Sequence, residues 1–490
     1  MIRALPVLFL ASAVAAEPRF EDRSFGLPDH VYDGGWEHFV GGGIAVFDCN
    51  RDGLPDIFAA GGENPAKLFV NQGDFTFIPV EFPAITGVTG AYPLDINSDG
   101  TLDLFIMRVG QNELQMGAGD CRFSRGSELP LRDDWTTAFS AWWDDQGLVM
   151  AIGNYVDRSD PDGPFEACDD NYLLRAGSGD YFATPLTPGY CPLSMLAAND
   201  ARGRPTLRIS NDRHYYVRGG HEQMWDIADG HFLGPEDGWN NVSLWGMGIA
   251  SRDLTGDGLD EVMLTSMGDQ LMQLANPDGT YGAAPYSIGT YAQRPHIGDD
   301  GRPSTGWHAE FADVDNDTQP DLFIAKGNVD QMPGLATRDP NNLLMQNEDG
   351  TFVEAAATAG IATTDRSRGA AFADFDNDGR LDLVVMNRRA PMELYRNITE
   401  DTGNWLRVDM SQMDVNTFGI GATIIVRYGA DSAGIQVQQK VVGGGHAGGS
   451  ALPLHFGLGD AESAVITVRW PDGSVSGHES PANQTLIISR

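Results

Sequence analysis

Five nine-residue loops place oxygen-bearing side chains at their first, third, fifth and ninth positions. The first two carry Asp48, Asn50, Asp52, Asp56 and Asp95, Asn97, Asp99, Asp103. A third carries Asp253, Thr255, Asp257 and Glu261, and two are fully acidic: Asp313, Asp315, Asp317, Asp321 and Asp374, Asp376, Asp378, Asp382. At the seventh position Leu54, Thr101, Leu259, Gln319 or Arg380 offers a backbone carbonyl. Acceptors at alternate positions, with a turn-forming Gly at the sixth, let a short loop wrap a hard cation such as Ca²⁺. Carboxylates packed this closely repel unless a cation sits among them. Mg²⁺ fits less well, because it demands near-octahedral geometry and keeps its waters. About five bound Ca²⁺ are therefore expected, with the Thr255 loop the weaker binder. Thr318 takes the Gly place in one loop, where a positive φ is disfavoured, so that loop should need a different backbone solution.

The elements around the loops decide between two ways of holding calcium. An EF-hand needs a bidentate Glu at position 12 and flanking helices. Here position 12 is Ala59, Ile106, Leu264, Ile324 or Val385, and each loop runs into a strand-like segment such as Asp382-Leu383-Val384-Val385-Met386. The EF-hand is rejected. Bare Asp/Gly turns without metal remain the plain alternative for one copy, but not for five.

From first Asp to first Asp the loops are 47, 158, 60 and 61 residues apart. The long step spans two units without a loop, whose remnants are Ala141–Met150 and Asn199–Leu207. Seven units of about 50 residues, each with several short strands, predict an all-β chain: a seven-bladed β-propeller over residues 17–400. The last unit ends at Asn397 without an outer strand. Phe20-Glu21-Asp22 resembles the missing piece and is expected to close the ring, removing open sheet edges.

The first 16 residues read as a secretory signal peptide: Arg3, an apolar run from Leu5 to Val14, and small residues before Glu17. That run is too short to span a bilayer, and no other segment approaches spanning length. A periplasmic or extracellular location is expected. The four cysteines agree with an oxidising compartment; Cys168–Cys191 is the favoured pair, leaving Cys49–Cys121 to join adjacent blades, although four cysteines allow three pairings. A formal charge of −37 would stay strongly negative even with five divalent ions bound, which opposes nucleic-acid or anionic-lipid partners.

Residues 398–403 read as a linker, and 404–490 change character. Trp405–Met410, Ala422–Tyr428, Ile435–Val442 and Val465–Trp470 are successive strands, with a turn at Pro471-Asp472-Gly473. A small β-sandwich-like domain is predicted. Gly443–Gly449 reads as a mobile loop, structural or in surface contact, since it lacks the strand-to-helix setting of a phosphate loop.

The loop lead-in Phe372–Gly379 resembles the FG-GAP/VCBS repeats of integrin α-subunit propellers. Gly419-Ile420-Gly421-Ala422, Leu454–Gly459 and Val468–Gly473 resemble the ASPIC/UnbV domain. Together they are similar to the cartilage acidic protein family and its bacterial relatives. The resemblance implies a seven-bladed, Ca²⁺-loaded, secreted interaction protein with no catalytic residues to carry over. The expected function is a secreted calcium-stabilised scaffold, not an enzyme, that recognises a protein or glycan ligand. The alternatives are a polysaccharide-acting lyase or hydrolase, or a purely structural envelope or matrix component. For the enzyme, His214, His221, His296 and His308 are candidates, and Trp142, Trp143, Trp239, Trp245 and Trp307 could stack sugars. Burial between blades is the favoured reading of those tryptophans.

Overall fold

The computed structural model describes residues 16–130, 132–159, 167–176, 181–212, 220–291, 302–329, 334, 336 and 338–490. The signal-peptide reading, apart from Ala16, falls outside these residues, as do His214 and His296.

Seven four-stranded antiparallel sheets follow one another along the chain, at 44–79, 88–125, 136–186, 192–232, 246–283, 306–354 and 367–397. Their second strands carry apolar runs, as in Asp56–Ala59, Asp103–Arg108 and Asp382–Asn387 after the leading acid, and are buried almost end to end. Such runs suit strands covered on both faces, and here each sheet packs on its neighbours. Innermost strands touch in order: Ile44–Phe47 on Val88–Leu94, and so on round to Ser367–Ala373, which returns to Ile44–Phe47. The arrangement is all-β and propeller-like.

The last sheet takes its fourth strand from the other end of the chain. Phe20–Asp22 pairs antiparallel with Glu393–Asn397, Phe20 opposite Asn397 and Asp22 opposite Tyr395. Backbone bonds from Ile398 N–H to Arg19 O and from Arg23 N–H to Leu394 O extend the seam. The expected closure is present. Both favoured disulfides are present too, Cys168–Cys191 and Cys49–Cys121, the second tying the first loop to the second sheet.

Residues 404–490 form a three-stranded and a four-stranded sheet around one apolar core that includes Leu406, Ile424, Val426, Phe456, Ile466 and Trp470. The Pro471-Asp472-Gly473 turn is closed by Trp470 N–H donating to Ser474 O, and Gly473 takes φ +81°.

Gly443–Gly449 is not a mobile surface loop. It runs into the middle of the ring and bridges four innermost strands in turn, Leu196 to Gly443, Ile249 to Gly445, Ala91 to Gly448 and, from flanking Val442, Ala141. Gly444 N–H donates to Met195 O, Gly445 N–H to Ile249 O, and Ser140 Oγ to Val442 O. Glycine is required where the two backbones meet: a Cβ on Gly448 would lie 2.1 Å from Ile44 O, and one on Gly90 would lie 1.5 Å from Ala447 O. The segment is a plug.

Candidate functional site

Each of the five loops joins the first strand of a sheet to its second, and their hydrogen bonds repeat. The first-position acid accepts from the backbone N–H of positions five and six, as Asp374 does from Asp378 at 3.0 Å and Gly379 at 2.8 Å. Asp48, Asp95 and Asp313 do the same; Asp253 accepts from Gly258 and, because its loop has Gly256 at position four, from Thr255 and Gly256. The fifth-position acid accepts from position seven, at Leu54, Thr101, Leu259, Gln319 and Arg380. The ninth-position acid reaches back to the N–H of position two and, in four loops, across to the third strand; Asp56 accepts from Cys49 at 2.9 Å and Asn71 at 2.9 Å. Asp103, Asp321 and Asp382 repeat this tie, while Glu261 accepts from Leu254. These bonds fix loop shape and point the acids inward.

Position six carries a positive φ in every loop: Gly53 +86°, Gly100 +80°, Gly258 +84°, Gly379 +90° and Thr318 +87°. The expectation of a different backbone solution at Thr318 is therefore wrong. The β-branched residue is forced into the same turn, its N–H held 2.9 Å from Asp313, at a conformational cost of about 1–3 kcal/mol.

The loops differ at position three. Asn50 Nδ2 and Asn97 Nδ2 each donate 2.8 Å to the fifth-position acid of their own loop, so those loops are partly self-satisfied. Where position three is Asp, no such donor exists. Asp313, Asp315 and Asp321 bring carboxylate oxygens within 4.8 Å of one another, and so do Asp374, Asp376 and Asp382. Asp315 Oδ2 and Asp376 Oδ1 are buried with no hydrogen-bond partner among the described residues. Burial, then the neighbouring acids, push Asp315 up to about 7 and hold Asp313 and Asp321 well above the usual carboxylate range. An oxygen-rich cluster with an orphaned acceptor fits a hard cation. Asp317 lies in the first cluster's loop; Asp378 is taken by Arg380 and by Arg396, which also pairs with Asp376 at 2.7 Å. The Cys49, Asp56 and Cys121 group is a disulfide beside a structural acid, with no thiolate to offer a metal.

In the two sheets without such a loop, guanidinium groups pair with the acids. Arg175 forks both oxygens of Asp144 in the third sheet. Arg204 holds Asp200 at 2.7 Å in the fourth and comes within 3.8 Å of Asp226.

Four loops adjacent around the ring are linked through position four. Asn316 Nδ2 donates to Gly379 O at 3.1 Å, Asn377 Nδ2 to Gly53 O at 2.9 Å, and Arg51 to Gly100 O. Beyond the last of these comes the loopless third sheet, and Ser98 Oγ donates instead to Val415 O of the C-terminal module. That module covers the loop face. Thr417 Oγ1 donates to Asp95 at 2.6 Å, His455 Nε2 lies 2.7 Å from Asn316 Oδ1, and Arg407 Nη1 lies 3.3 Å from Asp374. Sequence reasoning missed all three contacts, and no local signal marks them.

Family models match residues 48–106 and 331–385 as FG-GAP-like repeat, and residues 412–490 as ASPIC and UnbV. The chain carries FG-GAP-like repeats and an ASPIC and UnbV module. It is similar to Cartilage acidic protein 1 of Xenopus tropicalis, 24% identical over 505 residues, covering 91% of this chain and 73% of that protein. Cartilage acidic protein 1 of Homo sapiens is 27% identical over 167 residues, 34% of this chain but only 24% of the human protein. Among solved structures, the extracellular domain of a putative one component system from B. thetaiotaomicron aligns with TM-score 0.43 and 8% identity, over 96% of this chain and 59% of that one. The FG-GAP matches include the first, second and seventh-sheet loops; those at Asp253 and Asp313 lie outside them yet share their hydrogen bonding.

Of the histidines weighed for catalysis, the described ones, His221 and His308, do not converge. His308 is buried under the plug, its Nδ1 accepting from His446 N–H, while His221 Nδ1 lies 2.7 Å from Glu222 O in the fourth sheet. Trp307 is fully buried, its ring tilted against His446 at 4.9 Å with Arg368 at 4.1 Å over it, and Trp239 is buried, whereas Trp142, Trp143 and Trp245 are half-buried. Among the described residues no helix is long and apolar enough to cross a membrane.

Proposed function

We propose that this protein is an exported, calcium-loaded recognition scaffold: a closed seven-bladed propeller capped and plugged by its C-terminal β-sandwich-like module. About five Ca²⁺ ions occupy the loops at Asp48, Asp95, Asp253, Asp313 and Asp374. The observation that carries the reading is the pair of acidic clusters with orphaned, buried oxygens at Asp315 and Asp376. The calcium is chiefly structural, because the C-terminal module seats on these loops through Asp95, Asn316 and Asp374 rather than leaving them open to a partner. Two disulfides support an oxidising compartment, hence export. The remaining surface recognises a protein or glycan, and no catalysis is assigned.

The test is a thermal melt of the chain from Glu17 onward in calcium, in magnesium and in chelator. Ligand that binds only the folded state raises stability by mass action, by about 2.7 kcal/mol at a hundredfold excess over Kd. Calcium should raise Tm by several degrees and magnesium by much less. Identical melts in all three would leave the loops as turns and overturn the reading.

A further inference from the structure

Between the loop face of the ring and the C-terminal module lies a cavity of about 890 Å³. That is the size of a site for a small organic molecule, which typically takes about 300–1,000 Å³. Ile249, Phe311 and Leu454 contribute apolar wall, and Arg252 lies at its edge. Arg252 is partly exposed and lines the cavity. Among the described residues its guanidinium has one hydrogen-bond partner, Gln436 Oε1 at 3.4 Å, and its Cζ sits 5.9 Å from the Phe456 ring. Among the described residues no carboxylate comes within ion-pair distance of it. Asp253, Asp260 and Asp313 are the acids whose charge it feels, and each is held by other donors: Gly258 N–H, Ser251 Oγ and Thr318 N–H. A guanidinium left without a paired anion beside a cavity is a carboxylate fork without its carboxylate.

We propose that this cavity binds a small hydroxylated carboxylate of uronic-acid type, its carboxylate paired with Arg252. Four loop acids, Asp48, Asp95, Asp313 and Asp374, whose charge a loop cation offsets, line the space together with Asp260, Glu310 and Asp409. Their oxygens accept from sugar hydroxyls, while repelling an anion of higher charge such as phosphate. The inference deepens the recognition reading above and rests on it, but it does not need calcium to be the loop cation.

Calorimetric titration of the exported chain in calcium with D-glucuronate, D-glucose and inorganic phosphate tests it. D-glucuronate should bind and D-glucose roughly tenfold or more weakly, since a charge-assisted hydrogen bond is about twice as strong as a neutral one; phosphate should not bind, because the acids lining the space repel its higher charge. Arg252→Met should weaken D-glucuronate roughly tenfold or more while the variant still unfolds in one cooperative transition. Arg252→Lys, which keeps the charge, should fall between, and it carries the test if the Met variant folds poorly. No D-glucuronate binding, equal affinity for D-glucose or phosphate, or an Arg252→Met variant that binds as well as the parent would each overturn the proposal. A missing calcium shift with D-glucuronate binding intact would instead count against the metal reading alone.

Discussion

Arg407 Nη1 lies 3.3 Å from Asp374 Oδ2, joining the first strand of the C-terminal module to the first acid of the last loop. Arg407 Nη2 also reaches Asn377 Oδ1, at 2.9 Å, in the same loop. The cap and the loops are thus one mechanical unit. Whatever orders the loops also orders the seat of the cap, and the plug follows the cap into the ring.

The two fully acidic loops should be the strongest metal sites. Asp315→Asn and Asp376→Asn give each loop the same internal donor that Asn50 and Asn97 already supply, so each substitution should weaken its own site by roughly tenfold. Site-resolved calcium titration of single and double variants checks this. Equal affinity before and after would mean that the orphaned oxygens are not ligands.

Much of this was readable beforehand, for reasons that particular residues make plain. The loops repeat because their acids have local partners, as Asp374 has Gly379 five residues on and Asp382 has Phe375 seven residues back, and local pairs leave a spacing in the sequence. Phe20 closing on Asn397 was readable because a repeat was visibly short of a strand. Gly443–Gly449 was misjudged because its partners, Ser140, Met195 and Ile249, lie some two to three hundred residues away and only the closed ring assembles them. Thr318 was misjudged because local propensity gave way to the repeat's hydrogen bonds at Asp313. The arginines paired with Asp144 and Asp200 carry no spacing rule of their own.

Stability without metal should depend on pH with a definite sign. Burial, opposed by backbone hydrogen bonds and reinforced by neighbouring acids, pushes Asp56 and Asp103 up to about 7, and burial pushes Asp374 up to about 6. A folded-state pKa above the unfolded value, about 3.9 for Asp, means that the folded chain binds more protons. Stability then falls as pH rises between the two values. In chelator, Tm should drop from pH 5 to pH 7.5; in calcium the drop should largely vanish. A metal-free Tm that rises over this window would contradict the assignment.

Thr318→Gly should stabilise the metal-free protein by about 1 kcal/mol. Relief of a positive φ outweighs the extra freedom that glycine gives the unfolded chain, about 0.4–1 kcal/mol. Denaturant melts in chelator read the difference directly, and a destabilised variant would show that the Thr318 contacts matter more than its backbone.

The plug should be released by one methyl group. Gly448→Ala brings a Cβ to 2.1 Å from Ile44 O, and neither backbone can yield without breaking the bridge between Ala91 and Gly448. A cost of about 1–3 kcal/mol is expected for such overpacking. Limited proteolysis should then cut near residues 443–450 much faster than in the parent, with the sheets of the ring intact. An unchanged cleavage rate would place the plug's hold elsewhere.

The claim on which the rest depends is that the loops hold calcium. Native mass spectrometry of the chain from Glu17 onward, dialysed against calcium and then against chelator, counts the ions directly. The account predicts about five calcium ions, with the last to leave lost together in the Asp315→Asn and Asp376→Asn double variant. A mass equal to the bare chain after calcium dialysis would contradict it.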